Sequence, residues 1–350
     1  MRACKRKQTI LVSLAAGTLF TTAVALGWAA PAEDQKPPAK GGAGPRVAIE
    51  PRAPKPVPGA EPAGGPKPRE ATLFIEKRLV QINVSVFTPL GQVVTGMEKE
   101  HFKLYEDKVQ QSIESFTSEE APLSVGLVLD ISGSMGSKLA KSRQAAKEFF
   151  KSANPEDEFF LVQFNERPQL AVEWTRSSEE IINRLAFTQA RGRTALLDGL
   201  YLAMNEMKKA RNPRKAILVL SDGGDNSSRY TETEIKNIVR EADVQMYAMG
   251  IFESVGGRGR SPEELAGPGL LTELSEQTGG RHFPVDDISN LPDVAAKIGV
   301  ELRSQYMLSY SPTNLNKDGK YRRVEVKLAQ PRGLPPLKAY FRTGYYAPTQ

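Results

Sequence analysis

Three polar side chains follow directly after an apolar run in the first third of the chain. Residues 125–129 predict a strand buried on both faces, because the run is short, apolar and rich in branched side chains. Asp130, Ser132 and Ser134 come next at alternate positions, and the glycines around them allow a tight turn. Their oxygens can therefore face one side of a loop. Such a set suits a hard cation, Mg²⁺ before Ca²⁺ or Mn²⁺.

A simpler interpretation of the same loop is the start of a helix. Ser134 or Ser137 can serve as the N-cap of a helix that begins near Lys138. A helix cap and a metal site are compatible, so this interpretation does not decide between them.

Two features further along the chain favour the metal site. Thr194 precedes a long amphipathic helix, and Asp222 follows a second strongly buried strand at residues 216–220. In open parallel sheets, ligands bind beyond the carboxyl ends of the strands. Two carboxylates that follow neighbouring strands can therefore converge on one point.

Composition argues against several other classes of function. The chain has 350 residues and a net charge of +6, with 40% hydrophobic and 25% charged residues, enough for one large and one smaller domain. Its only cysteine is Cys4 and its only histidines are His101 and His282, which argues against Cys/His zinc sites and thiol catalysis. No G-x-S-x-G motif and no basic helix is present. We therefore expect neither an enzyme nor a nucleic-acid partner.

The N-terminal residues predict export. Residues 1–32 combine a basic head, an apolar core and small residues, so they are typical of a signal peptide cleaved after Ala29 or Ala32. The alternative is an uncleaved membrane anchor, because the apolar core is about as long as a membrane-spanning helix. Residues 33–70 are rich in Pro, Gly, Ala and Lys and predict a disordered or extended linker. The protein is therefore expected in the periplasm, at the cell surface or outside the cell, with no prediction of oligomeric state.

Strand and helix patterns alternate between residues 122 and 303. This alternation predicts an α/β domain, a doubly wound, mostly parallel sheet with helices on both faces. The predicted strands are residues 125–129, 158–164, 216–220, 244–252 and 281–285. The predicted helices are residues 137–152, one opened by a capping box at Ser177 and Glu180, one after Thr194, one opened by a capping box at Thr231 and Glu234, one from Ser261 that is interrupted at Gly267-Pro-Gly269, and residues 291–303.

The flanking segments, residues 71–121 and 304–350, alternate with period two and predict strands. Neither segment is large enough to fold alone. We expect them to pair with each other, so that the α/β domain is inserted into a small β-sandwich. The alternatives are two separate sheets, or edge strands added to the central sheet. Residues 316–319 predict a hairpin turn between the strands around Leu308 and Val326.

Taken together, these motifs resemble a known family. The segments Asp130-Ile-Ser-Gly-Ser134, Gly192-Arg-Thr194-Ala-Leu and Leu220-Ser-Asp222-Gly-Gly resemble the metal-ion-dependent adhesion site (MIDAS) of the von Willebrand factor type A (VWA) domain, over residues 122–303. A wider likeness takes in residues 103–107, 304–306 and 344–346 and is to a bacterial family of exported "VWFA-related" proteins, whose function is poorly defined.

The resemblance implies a role for each candidate ligand. Ser132 and Ser134 would ligate the ion directly, Thr194 would do so in the ligand-bound state, and Asp130 and Asp222 would act mostly through waters. Neutral hydroxyl ligands leave a dication under-neutralised, so it prefers an anionic oxygen from a partner. The main hypothesis is an exported, metal-dependent adhesion module that captures a carboxylate of a partner protein. The alternatives are a scaffold or regulatory subunit of an envelope complex with a structural VWA site and, less favoured, a metal-assisted hydrolase of envelope polymers.

Four polar residues near the site have weaker assignments. Asp225 and Asn226 follow Asp222 closely, but a role in the turn is the simpler expectation. Arg258 and Arg260 lie in a glycine-rich stretch after a predicted strand and are candidates to steer an acidic partner, against the simpler role of a solvated loop.

Overall fold

The computed structural model describes residues 79–252, 262–329, 333 and 335–349. The predicted export signal, the predicted linker, Arg258 and Arg260 lie outside these residues. Among the helices that are described, none is both long enough and apolar enough to cross a membrane.

The described residues form fourteen strands and six α-helices. The strands are β1 (Val80–Phe87), β2 (Phe102–Glu106), β3 (Val109–Gln111), β4 (Ile113–Thr117), β5 (Leu123–Asp130), β6 (Glu158–Phe164), β7 (Pro168–Thr175), β8 (Arg214–Ser221), β9 (Gln245–Ile251), β10 (His282–Val285), β11 (Tyr306–Tyr310), β12 (Tyr321–Leu328), β13 (Lys338–Tyr340) and β14 (Gly344–Tyr346). The helices are α1 (Leu139–Phe150), α2 (Ser178–Ala186), α3 (Leu196–Met207), α4 (Glu232–Glu241), α5 (Pro262–Gln277) and α6 (Leu291–Arg303).

The central sheet has six strands in the order β10-β9-β8-β5-β6-β7. All neighbours are parallel except β7, which runs antiparallel to β6 at one edge. Every residue of β5, β6 and β9 is buried, as expected for strands covered on both faces. Helices α1, α2 and α6 pack on one face, and α3, α4 and α5 pack on the other. The predicted α/β fold class is confirmed.

The flanking segments build two further four-stranded sheets, β13-β1-β11-β4 and β14-β12-β2-β3. Each sheet combines strands that precede the α/β domain with strands that follow it. Their facing side chains share one core, which includes Ile82 and Val84 of β1, Leu104 of β2, Leu308 of β11 and Val326 of β12. The two sheets therefore form a β-sandwich into which the α/β domain is inserted, and none of these strands extends the central sheet.

The predicted hairpin between β11 and β12 is wrong. β11 pairs antiparallel with β1 and β4, whereas β12 pairs with β2 and β14 in the other sheet. The connection between them crosses the sandwich, and the buried Arg322 holds it by donating to the carbonyls of Asn314 and Asn316. The turn residues allow a reversal of the chain, but β11 lies between β1 and β4, so neither of its edges is free to pair with β12.

The helix starts and interruptions differ in three places from the predictions. Lys138 occupies the N-cap of α1 without a side-chain cap, so neither Ser134 nor Ser137 caps this helix. Ser177 precedes α2 without capping it, and its N–H donates to Thr175 Oγ1 at 3.0 Å. The capping box at Thr231 and Glu234 is present.

Helix α5 runs through the predicted interruption as one helix. Pro268 lies inside it, and the Pro268 carbonyl accepts a hydrogen bond from Thr272 Oγ1 at 2.7 Å. Gly267 packs directly on Gly223, which follows β8. The contact between Gly267 and Gly223 joins residues 44 positions apart, so a local sequence pattern cannot predict it. The edge strand β7 was also absent from the predictions, and it opens with Pro168, as edge strands tolerate.

Candidate metal centre

The ends of β5 and β8 bring the first two candidate residues to the same edge of the central sheet. The strands are parallel neighbours, and Leu129 lies opposite Leu220 in their register. Asp130 is the last residue of β5, and Asp222 follows the last residue of β8. Both carboxylates therefore leave the sheet at the edge where parallel α/β sheets bind ligands.

The carboxylate of Asp130 is fully buried and held on both oxygens. Its Oδ1 accepts from the Ser132 N–H at 2.8 Å, and its Oδ2 accepts from the Ser221 hydroxyl at 2.7 Å. Burial and the charge of Asp222 raise the pKa of Asp130 to about 7. Two carboxylates thus lie close enough for their charges to oppose each other, and among the described residues no ion pair neutralises Asp130.

The two serine hydroxyls of the first loop meet at this point. Ser132 Oγ and Ser134 Oγ lie 3.0 Å apart, with Ser132 buried and Ser134 exposed. Mg²⁺ holds octahedral oxygen ligands at about 2.1 Å, which places neighbouring ligands about 3 Å from each other. The pair of hydroxyls therefore fits two adjacent positions around Mg²⁺, and the same distance also allows a hydrogen bond between them.

Backbone hydrogen bonds join the three loops that carry the candidate ligands. The Gly133 N–H donates to the Gly192 carbonyl at 2.9 Å, which links the first loop to the second. The Thr194 N–H donates to Asn226 Oδ1 at 3.0 Å, and the Asn226 N–H donates to the Thr194 carbonyl at 3.0 Å. Thr194, which is buried, is thereby held between the first loop and the loop that begins at Asp222.

A buried lysine at the start of α1 lies in the same cluster. Lys138 Nζ is 3.3 Å from Asp222 Oδ2 and 3.3 Å from the Ile251 carbonyl. The ammonium gives Asp222 a positive partner. Its only signal in the sequence is its position four residues after Ser134, and that spacing does not predict contact with a residue 84 positions away.

Two polar residues around Asp222 support the loops. The Ser221 hydroxyl orients Asp130 and also accepts from the Gly223 N–H at 3.0 Å; nothing in the sequence beyond its place before Asp222 pointed to this role. Asp225 Oδ2 accepts from the Leu197 N–H at 2.9 Å, and its Oδ1 accepts from the Ser228 N–H at 3.2 Å. Asp225 therefore shapes its own turn, as expected, and also supports the N-terminus of α3.

The donor set fits a hard dication better than a zinc-type site. Within the described residues, no group of three or more His, Cys, Asp or Glu side chains is placed to hold a metal. The candidate centre instead combines hydroxyls with two carboxylates, a mixture suited to Mg²⁺. The dication would also supply the positive charge that Asp130 lacks.

The fold and the site together define an α/β protein whose candidate ligand site lies at the carboxyl edge of a mostly parallel sheet. Residues 125–224 match the family described as the von Willebrand factor type A domain. The predicted resemblance to the VWA domain is therefore confirmed for this part of the chain.

Several known proteins are similar to parts of this chain. An uncharacterized protein of Borreliella burgdorferi is 28% identical over 181 residues, which are 46% of this chain and 53% of that protein. Inter alpha-trypsin inhibitor heavy chain 4 of Mus musculus is 29% identical over 153 residues, 39% of this chain and 16% of that protein. The chain thus spans about half the length of the first relative and much less of the second.

One solved structure, a von Willebrand factor type A protein from Catenulispora acidiphila, is similar over a larger part of the chain. It is 13% identical, covers 77% of this chain and 75% of its own, and has a TM-score of 0.45. At this distance the likeness says nothing about function.

Proposed function

We propose that this chain is an exported binding module whose VWA domain holds a divalent cation and captures an acidic group of a partner protein. The cation is Mg²⁺, before Mn²⁺ or Ca²⁺, and its residues are Asp130, Ser132, Ser134, Thr194 and Asp222. The observation that carries the proposal is the buried carboxylate of Asp130, which forms no ion pair within the described part of the chain, beside two hydroxyls at the spacing of adjacent Mg²⁺ ligands. Export rests on the N-terminal sequence.

The proposed roles follow from charge. Ser132 and Ser134 would bind the ion directly, Thr194 would join them when a partner is bound, and Asp130 and Asp222 would act through water. The hydroxyls carry no charge, so the bound dication would attract a carboxylate from the partner to its open position. The hydrogen bonds from Ser132 and Ser221 hold Asp130 in orientation, as supporting contacts do around metal sites.

The proposal includes no catalytic activity. His101 Nδ1 accepts from the Glu98 N–H at 3.1 Å in the β-sandwich, and His282 Nδ1 lies 2.8 Å from Thr272 Oγ1. Neither histidine hydrogen-bonds a candidate ligand, so neither is placed as a general base for a metal-bound water.

Calorimetric titration of Mg²⁺ and Mn²⁺ into the purified chain tests the site. Asp130→Asn keeps the size of the side chain but removes its charge, and we expect it to weaken metal binding by about 10- to 100-fold. Asp286→Asn changes an exposed aspartate and serves as the matched control. Equal metal affinity in the wild type and Asp130→Asn, with folding confirmed by circular dichroism, would rule the site out.

A scaffold or regulatory subunit with a structural VWA site is the second candidate. Lys138 favours it, because its ammonium already neutralises Asp222 without a metal. A pull-down distinguishes the scaffold from the metal-dependent module. The immobilised chain captures partners from envelope extract in the presence and in the absence of EDTA. Partners that are lost in EDTA support capture through the ion, and partners retained in EDTA support the scaffold.

A further inference from the structure

A polar cleft of about 370 Å³ lies beside the candidate metal centre. Residues from β6, β7, α2 and the loop before Thr194 line it. The lining includes three arginines, one aromatic ring and two polar side chains: Arg167, Arg184, Arg191, Phe187, Gln163 and Thr188.

The cleft and the candidate metal centre share a wall. Ile131 lines the cleft and directly follows Asp130. The Arg191 N–H donates to the Ile131 carbonyl at 2.8 Å, and the next residue, Gly192, accepts from the Gly133 N–H at 2.9 Å. A chain segment whose side chain reached the metal could therefore continue into the cleft.

The cleft carries an unbalanced positive charge. Arg167, Arg184 and Arg191 are exposed, and none of them forms an ion pair with another described residue. Among the described residues, no acidic side chain lines the cleft. The acidic side chain of Glu166 lies against Gly192, outside the lining. Three cations around one concave surface attract anions and orient them before contact.

An aromatic side chain stands at the same cleft. Phe187 is 82% exposed, an unusual position for a large apolar ring. In the same lining, the buried amide of Gln163 donates to Thr188 Oγ1 at 2.6 Å. Aromatic side chains and arginines are both enriched in protein interfaces relative to the rest of the surface.

We propose that this cleft binds the acidic residues that flank the metal-coordinating carboxylate of a protein partner. The occupant is an extended acidic segment whose carboxylates pair with Arg167, Arg184 and Arg191, while an apolar side chain packs on Phe187. The cleft thereby selects acidic partners over others that present a single carboxylate. This inference rests on the proposed function, because the same segment would occupy both sites.

Fluorescence anisotropy with a labelled peptide of ten glutamates tests the cleft. The triple variant Arg167→Gln, Arg184→Gln, Arg191→Gln is expected to bind this peptide about tenfold more weakly than the wild type, from the loss of three solvent-exposed charge pairs. Its Mg²⁺ affinity, measured by calorimetry without peptide, should stay unchanged. The matched control removes three exposed positive charges from the sandwich, with Lys103→Gln, Arg323→Gln and Lys327→Gln.

The two proposals fail in different ways. Equal peptide affinity in the wild type and the cleft variant, or equal weakening in the cleft variant and the sandwich control, would overturn the cleft. If the chain binds no Mg²⁺ but the peptide still binds in EDTA through the three arginines, the cleft stands and the metal site fails. A Phe187→Ala variant should lose affinity for a peptide of alternating glutamate and leucine more than for the all-glutamate peptide, and an equal loss would remove Phe187 from the site.

Discussion

The two carboxylates of the candidate metal centre have unequal surroundings. Asp222 has the Lys138 ammonium 3.3 Å away, whereas the contacts of the buried Asp130 with other described residues are hydrogen bonds from Ser132 and Ser221. A lysine in this position supplies one positive charge when no metal is bound. The same charge must oppose a dication that approaches Asp222, because like charges a few ångströms apart repel strongly in a partly buried site.

Lys138→Gln should therefore bind Mg²⁺ more tightly than the wild type. We expect a gain of about fivefold to tenfold, since a repulsion of roughly 1 kcal/mol is a modest value for charges at this separation near a protein surface. Calorimetry measures the change, with the exposed Lys147→Gln on α1 as the control. A weaker affinity in Lys138→Gln would mean that the lysine positions Asp222 instead of competing with the metal.

Near the candidate metal centre, the backbone of the loop after β8 is in direct contact with the backbone of α5. Gly223, which follows β8 and has a φ of +80°, lies against Gly267 of α5. A Cβ on Gly267 would come within 2.6 Å of the Gly223 carbonyl carbon, closer than atoms can approach. Helix α5 thus supports the loop that carries Asp222.

Gly267→Ala should displace this loop. We expect it to lower the free energy of unfolding by about 1–3 kcal/mol, the usual cost of forcing extra atoms into a packed interior, and to weaken Mg²⁺ binding. Gly269→Ala, two residues along the same helix, meets no atom within 4 Å and is the control. Thermal unfolding and a Mg²⁺ titration compare the pair, and the expectation fails if both variants behave alike.

In the β-sandwich, one buried carboxylate connects the segments that precede and follow the α/β domain. Glu106 of β2 is buried, and its Oε2 accepts from the hydroxyls of Tyr310 and Tyr345, each at 2.7 Å, while Arg322 lies 3.4 Å from its Oε1. Glu106 thus links β2, which precedes the α/β domain, to β11, β12 and β14, which follow it. Burial and these hydrogen bonds to Glu106 raise the pKa of both tyrosines, so they remain neutral donors.

A second buried network joins the sandwich to the α/β domain. The Gln305 amide donates to Ser85 Oγ at 3.0 Å and to the Tyr247 hydroxyl at 3.2 Å, and this hydroxyl donates to Glu301 Oε1 at 3.0 Å. Because Gln305 lies between α6 and β11, neither part can lose its structure without disturbing the other. We expect the two to unfold together.

Glu106→Ala tests this coupling. Leaving the buried Arg322 without its carboxylate partner should lower the free energy of unfolding by about 3–5 kcal/mol. Replacing Trp28 by Phe leaves Trp174 in β7 as the single tryptophan. During urea unfolding, its fluorescence then reports the unfolding of the α/β domain, and far-UV circular dichroism reports the loss of secondary structure in the whole chain. Both transitions should shift together, while the exposed Glu325→Ala leaves them in place. An unchanged Trp174 transition would show two independent units.

The local patterns of the chain predicted a large part of this architecture. The strand Glu158–Phe164 and the helix Leu291–Arg303 have the predicted bounds, and the α/β class and the VWA resemblance are confirmed. The five candidate ligands follow predicted strands or precede a predicted helix, in loop motifs that the sequence itself shows. The sequence predicts these features because the spacing of apolar residues, the turns and the strand ends each depend on residues that are neighbours in sequence.

Contacts between residues far apart in sequence could not be predicted, because they depend on how the folded chain packs. The partners of β11, the passage of α5 through Pro268, the pairing of Lys138 with Asp222 and the grouping of three arginines in one cleft join residues with no local relation to each other. Such contacts depend on which surfaces are buried together and on which charges share a concave surface. Local periodicity in the sequence therefore predicts the strands and helices. Only the packing of the folded chain places Lys138 beside Asp222, 84 positions away.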